Sequence, residues 1–276
     1  MTAPHYLGSD WMLYTQGMAL VGKPPPHIQT VARGDNLTEW EQVARATLRA
    51  QQGDFSEVPR LLEVALTTHE DRLQWAAITL FALSAPSALV VQLARAFSHA
   101  SFDMRVAAYR ATTLACNLEL ASLLARRRSQ LGRRERESVE YHISGVLDAD
   151  PNDPKLMGGE LDDHGFVAQV DAAVAGLRAR HGRAAIYEGQ PLSVPRLAAR
   201  VRALCALEDF EIRGGIMDDV LCLIEGMTGT AYAGCFDADC VPRLPEVARV
   251  LEELERSAQA RVLTPGRRYF CGHALE

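Results

Sequence analysis

The sequence predicts an all-α protein built as a short α-solenoid of stacked helical hairpins, with a C-terminal helical cap and a short irregular or extended tail. Apolar residues recur at spacings of three and four from Leu37 onward, as on one face of a helix. Alanine and leucine are frequent whereas aromatic residues make up 7% of the chain, which favours helices packed through small side chains. Two segments of similar content, EDRLQWAAITLFAL and FDMRVAAYRATTLA, also follow each other.

Residues 1–36 are predicted to be irregular, because Pro24–Pro26 favours an extended spacer. Residues 37–147 are predicted to form the helical repeats, with Thr38 and Ser101 placed to cap helices. The expected helices follow Thr38, Ser56, Asp71, Pro86 and Ser101, and then run over about Leu118–Arg128 and Arg133–Leu147.

The similar segments align Trp75-Ala76-Ala77 with Val106-Ala107-Ala108, about 31 residues apart. A helical hairpin of this size cannot bury its own apolar face and must stack on its neighbours. The period is close to that of HEAT repeats, and paired alanines allow close helix contact. The sequence therefore predicts HEAT-like repeats, with an irregular helical bundle as the alternative.

Residues 148–163 form an acidic loop rich in proline and glycine, and residues 164–276 are predicted to be a C-terminal helical part packed on the repeats. Asp163 is placed to cap an amphipathic helix that ends near Gly182. Further helices are expected over about Val194–Phe210, Gly215–Met227 and Leu244–Gln259, and no sheet is expected.

The charge balance disfavours nucleic acid as a partner. Lysine and arginine number 29 against 35 acidic residues, giving a net charge of −6. The basic run Arg126–Arg136 contains interleaved glutamates and is interpreted as a solvated turn with local ion pairs. The sequence lacks a recognisable signal peptide and a membrane-spanning apolar run, so we expect a cytoplasmic location without membrane contact.

Two pairs of adjacent carboxylates are candidates for chemistry. Asp162 and Asp163 stand beside His164, a grouping that acid–base catalysis would use if the side chains converged; a helix cap explains Asp163 more simply. Asp218 and Asp219 lie near a helix N-terminus, where carboxylates favour the helix dipole, and at least one of them is expected to face outward. A metal-dependent hydrolase that uses this second pair is the alternative.

Near the C-terminus, three thiols and one imidazole offer the ligand types of a tetrahedral zinc site. They belong to Cys235, Cys240, Cys271 and His273. The gap between the first two cysteines is wide for zinc, and carboxylates lie between them. Buried free thiols beside a turn are the simpler interpretation, and no cofactor is expected.

The C-terminal third resembles bacterial HEAT-like immunity proteins, the partners of polymorphic toxins delivered between competing cells. The resemblance lies in the order of three segments: RGGIMDDVLCLIEGMTGTAYAGCFD (213–237), VPRLPEVARVLEEL (241–254) and PGRRYFCGHAL (265–275). Cys271 departs from the pattern, in which an aromatic or aliphatic residue is expected, and this weakens the zinc interpretation.

The resemblance implies a non-enzymatic inhibitor that binds a cognate toxin encoded by the adjacent gene and occludes or distorts the active site of that toxin. A negatively charged solenoid offers a large surface for a basic partner. A helical-repeat scaffold for an endogenous assembly is the alternative from another class. The acidic residues expected to contact the toxin are Asp162, Asp163, Asp218, Asp219, Asp237 and Asp239.

Overall fold

The computed structural model describes residues 37–148, 156, 161–207, 210–230, 232, 234–237 and 241–276. This part of the chain is mostly helical, which confirms the all-α prediction. The N-terminal segment 1–36 and most of the acidic loop lie outside the described residues. None of the helices in these ranges is long and apolar enough to cross a membrane.

The first helices follow the predicted order closely, and a 3₁₀ segment over Val91–Ser98 continues α4. They are α1 (Glu39–Gln51), α2 (Val58–Thr67), α3 (Asp71–Ser84), α4 (Ser87–Val90), α5 (Phe102–Ala115), α6 (Leu118–Ala125), α7 (Arg133–Leu147) and α8 (Asp163–His181).

The remaining elements contain two short hairpins, so the expectation that no sheet would form is wrong. Two predicted helices also end earlier than expected, at Cys205 and Arg256. The elements are β1 (Ile186–Tyr187), β2 (Gln190–Pro191), α9 (Val194–Cys205), α10 (Phe210–Thr228), α11 (Leu244–Arg256), α12 (Ala258–Val262), β3 (Tyr269–Phe270) and β4 (His273–Ala274).

Side-chain caps fix the starts of several helices. Thr38 forms a capping box with Glu41, in which the Thr38 amide donates to the carboxylate at 2.7 Å. The Ser101 hydroxyl accepts from the amide of Met104 at 3.3 Å, as predicted. Asp162, one residue before the predicted cap, accepts from the Gly165 amide at 2.7 Å and begins α8.

The helices α3, α5 and α7 begin at residues 71, 102 and 133, so that each start lies 31 residues after the previous one. Neighbouring members of this set pack side by side and form an inner layer. The 3₁₀ segment, α6 and α8 pack behind them in the same order and form an outer layer. The repeat period found in the sequence therefore corresponds to the spacing of adjacent packed helices.

The C-terminal elements pack on the inner layer. Helix α10 contacts α3 and α5, strand β3 contacts α3 and α10, and strand β1 contacts α7. Buried apolar side chains from the repeats and from the C-terminal part belong to one continuous core. A Cβ added at Gly226 of α10 would lie 3.0 Å from the Leu83 side chain, so α10 approaches α3 closely at this glycine.

Both hairpins use their turns to cap a helix. The turn residues Glu188–Gly189 and Cys271–Gly272 all have positive φ, the backbone geometry of a type I′ turn. The amides of the first turn donate to the carbonyls of Gly145–Val146 at the end of α7, at 3.0 and 2.9 Å. Those of the second donate to Gly226–Met227 at the end of α10, at 2.7 and 2.8 Å. Each hairpin thus satisfies carbonyl groups that a helix C-terminus leaves without intrahelical partners.

Arg268 ties the C-terminal segment to the repeats. Its guanidinium is buried and donates to the carbonyls of Ala82 and Ala85 at the end of α3, the latter at 2.7 Å. Burial lowers the pKa of Arg268 to about 10. A cation at a helix C-terminus is favoured by the helix dipole, and its hydrogen bonds satisfy the terminal carbonyls.

We expect Arg268→Met to lower the free energy of unfolding by about 2–4 kcal/mol, because two buried carbonyls lose a charged donor. Urea denaturation measures this loss. The matched control is Arg267→Met, which removes a half-exposed arginine paired with Glu276 and is expected to cost less than about 1 kcal/mol. Equal losses in the two variants would contradict the assigned role of Arg268.

Candidate functional site

A buried cluster of charges joins α5 to α10. The guanidinium of Arg110 donates from Nη2 to Asp218 Oδ2 and from Nε to Asp219 Oδ1, both at 2.6 Å. The side chains of these three residues are 12%, 19% and 8% exposed. The expectation that at least one of the two aspartates would face outward is wrong, because both carboxylates turn inward to share one cation.

The cluster contains more negative than positive groups. The hydroxyl of Tyr232 donates to Asp218 Oδ1 at 3.3 Å. Burial raises the pKa of Asp218 to about 6, and the adjacent Asp219 acts in the same direction, against the opposing effect of Arg110. Burial disfavours the Arg110 cation, but the two carboxylates outweigh it and hold its pKa well above the usual value. A single guanidinium therefore neutralises two carboxyls only in part.

Polar side chains of α7 lie close enough to this cluster for its charges to affect their pKa values. His142 is buried, and its Nδ1 lies 3.1 Å from the Thr113 hydroxyl. Burial lowers the pKa of His142 to about 4. Burial also raises the pKa of Tyr141 to about 12, with Asp219 acting in the same direction. These groups are neutral at pH 7, as expected for a polar layer inside a packed core.

A second ion pair lies at the turn of the first hairpin. Arg200 Nε donates to Glu188 Oε1 at 2.8 Å, and both side chains are nearly buried. Burial raises the pKa of Glu188, although Arg200 opposes this effect. The pair joins α9 to the turn that caps α7.

The other predicted acidic pair does not converge on a common point. Asp162 is exposed and caps α8, whereas Asp163 binds Arg128 Nη1 at 2.5 Å. Arg128 also donates to Glu140 at 2.8 Å and lies 4.8 Å from the centre of the Phe166 ring. The basic run is therefore solvated only in part, because Arg128 is 7% exposed and links α8 to α7.

Three of the four cysteine and histidine candidates lie within the described residues. Cys235 is buried, Cys271 lies in the turn of the second hairpin, and His273 is exposed. Cys240 and Asp239 lie outside the described residues. Within the described ranges, no group of three or more histidine, cysteine or acidic side chains is arranged to hold a metal ion.

Asp237 supports a local turn. Its carboxylate accepts from the Val241 amide at 2.9 Å, and its own amide donates to the Val241 carbonyl at 3.0 Å. This pattern satisfies the backbone next to the bridge between Phe236 and Pro242.

Sequence reasoning missed the residues that pair with the aspartates. Arg110 is one of many arginines and stands 108 residues before Asp218, so nothing local marks it as a partner. Its place within the apolar run AAYRATTLA was an available signal, because a charge among apolar residues requires a buried partner. Tyr232 and the Arg200–Glu188 pair carried no comparable signal.

Comparison with protein-family models, curated proteins and solved structures finds no match to this chain. The arrangement of side chains is therefore the basis for assigning a role. The carboxylates of Asp218 and Asp219 both bind Arg110, and this joins α10 to α5.

Replacing Arg110 with methionine leaves two carboxyls buried without their cation. We expect Arg110→Met to lower the free energy of unfolding at pH 7 by about 3–5 kcal/mol, measured by urea denaturation. The triple variant Arg110→Met/Asp218→Asn/Asp219→Asn is expected to regain part of this loss. The control Arg249→Met removes an arginine paired with exposed Glu246 and Glu253 and should cost below about 1 kcal/mol. A loss in Arg110→Met no larger than in this control contradicts a stabilising cluster.

The pKa of Asp218 predicts a pH dependence of stability. The pKa of this carboxyl rises from 3.8 to about 6 on folding, so the folded state binds its proton more tightly. Its contribution to the free energy of unfolding therefore falls by about 2–3 kcal/mol as pH rises through this interval. We expect Asp218→Asn to gain stability relative to wild type from about pH 4 to pH 6, in urea titrations across this range. Parallel curves for the two proteins would contradict the raised pKa.

His142 provides the control with the opposite sign. The pKa of His142 falls from 6.5 to about 4 on folding, so the unfolded state binds protons first as pH falls. The stability of the wild-type protein relative to His142→Asn is therefore expected to decrease as pH falls through this interval.

Proposed function

We propose that the protein neutralises a cognate bacterial toxin by binding it. The proposal rests on one observation: carboxylates of the two candidate catalytic pairs form ion pairs with arginines inside the fold. Asp218 and Asp219 bind Arg110, and Asp163 binds Arg128, so these carboxylates stabilise the fold. This use favours a role that depends on surface recognition.

The packing of the helices supports the same proposal. Helices that start every 31 residues and pack in two layers support the prediction of a short HEAT-like α-solenoid. Proteins of this architecture bind partners through extended surfaces, and a stable complex needs about 800 Å² on each side. The resemblance of segments 213–237, 241–254 and 265–275 to HEAT-like immunity proteins supports a toxin as that partner.

The net charge of the protein supports a basic partner. We propose that the two proteins meet in the cytoplasm. The net charge of −6 increases the rate of encounter with a positively charged protein. Among the predicted contact residues, Asp162 is exposed and Asp237 is half-buried, so these two stay candidates for contact. Asp163, Asp218 and Asp219 are better explained by their ion pairs within the fold.

The alternative of a metal-dependent hydrolase loses its main support. A carboxylate pair that binds a metal needs free oxygen atoms, whereas Arg110 holds one oxygen of each aspartate. A scaffold for an endogenous assembly uses the same surfaces as an inhibitor and differs only in its partner.

The proposal is tested by co-expression with the product of the adjacent open reading frame. We expect that product alone to arrest growth, and the wild-type protein to restore it. The two purified proteins should form a one-to-one complex in light scattering. The variant Asp162→Asn keeps the helix cap but removes the charge, and should slow association with a basic toxin severalfold. A harmless neighbour, or a toxic one that this protein neither binds nor neutralises, contradicts the proposal.

A further inference from the structure

The outer layer contains an open groove. The C-terminal elements contact the inner helices α3, α5 and α7, whereas α6 and α8 pack against each other and against α7. Between α6 and α8 is a cavity of about 490 Å³. Its lining residues are Glu119, Ser122, Leu123, Arg126, Asp171, Val174, Ala175 and Arg178.

Charged side chains mark the two ends of this groove. Arg126, just after α6, pairs with Asp171 in α8 at 3.3 Å. Glu119 near the start of α6 and Arg178 near the end of α8 line the other end, as expected for antiparallel helices. Between them lie mostly apolar side chains, with Leu123 and Val174 in the floor.

Glu119 and Arg178 are both exposed and have opposite charges. Within the described part of the chain, neither side chain forms an ion pair within 4.0 Å, although both line the same groove. The other end of the groove shows that an acid and a base can pair across the two helices. The open end therefore offers one anion and one cation to an incoming molecule.

One acid and one base on a single face are complementary to the same face of a second copy. In a two-fold dimer, each contact between residue i and residue j occurs twice. A second copy related by a two-fold axis parallel to the helices places its α8 over α6 of the first copy, antiparallel to that helix. This arrangement brings its Arg178 to Glu119 of the first copy, and its Glu119 to Arg178. We propose that the α6–α8 face binds a second copy of this chain. This inference is independent of the proposed function.

The shape of α8 permits the close approach that such a dimer needs. Small residues occupy its exposed face, whereas the apolar stripe predicted from the sequence is buried: Phe166, Val170, Val174 and Leu177. Because the small residues project little from the helix, another helix can pack closely against this part of α8. The exposed small residues are Ala168, Ala172, Ala175, Gly176 and Ala179.

The size of the face indicates a weak dimer. Helix α8 has 19 residues and is about 28 Å long, whereas α6 has 8 residues and is about 12 Å long. With each helix about 10 Å wide, the face covers roughly 400 Å² on each copy, which is below the size of most specific complexes. We therefore expect a dissociation constant in the high micromolar range.

Sedimentation equilibrium tests the dimer with the purified chain alone. The apparent mass of the wild-type protein should rise from 30.3 kDa toward about 61 kDa as concentration rises to a few hundred micromolar. Glu119→Arg and Arg178→Glu should each weaken association at least tenfold, because like charges then meet. The double variant Glu119→Arg/Arg178→Glu exchanges the charges and should restore dimerisation.

A steric variant tests the same face without changing charge. Ala175→Trp projects from the groove and should prevent dimerisation, whereas Ala248→Trp at an exposed position of α11 should leave it unchanged. Circular dichroism verifies that each variant is folded. A wild-type protein that stays monomeric throughout this range overturns the inference. It is also overturned if the charge exchange fails to restore association, or if Ala175→Trp dimerises like the control.

Discussion

The contact of Arg110 with Asp218 and Asp219 is the constraint on which the arrangement of the molecule depends. Arg110 is far in sequence from the two aspartates, and the three charges are largely shielded from water. Buried charges are costly unless each is paired, so α10 has a favourable position on α5 only where both carboxylates reach the guanidinium. The buried guanidinium of Arg268 must likewise be paired, and its partners are carbonyl groups at the end of α3. Charge pairing thus fixes the position of a C-terminal part that apolar contacts alone would allow to shift.

This constraint determines which surfaces can serve in recognition. The C-terminal elements use the inner layer to complete the hydrophobic core. Under the proposed function, partner contacts are expected on the outer layer, at the edges of the helices and on exposed parts of the C-terminal elements. The acidic residues that were chosen from their sequence positions therefore have different roles in the structure. Some form ion pairs inside the fold, and only those that stay accessible to solvent can contribute charge to a partner surface.

Local features of the sequence predicted the helices well, because caps and apolar periodicity act within a few residues. Helix α7 was predicted with its observed limits, Arg133–Leu147. The two-residue strands were missed because their turns have left-handed non-glycine residues, Glu188 and Cys271, which the sequence does not mark. The inward direction of Asp218 and Asp219 was missed for another reason. It depends on a partner on a distant helix, and periodicity along α10 gives no information about that partner.

The central claim is that α10 and the repeats form a single cooperative unit held together by the charged cluster. Hydrogen exchange of the wild-type protein, resolved by peptide, measures the opening free energy of each helix. The account predicts that amides in the middle of α10 exchange with the same free energy as those of α3 and α5, equal to that of global unfolding. Exchange of α10 at a clearly lower free energy, while α3 and α5 stay protected, would contradict it.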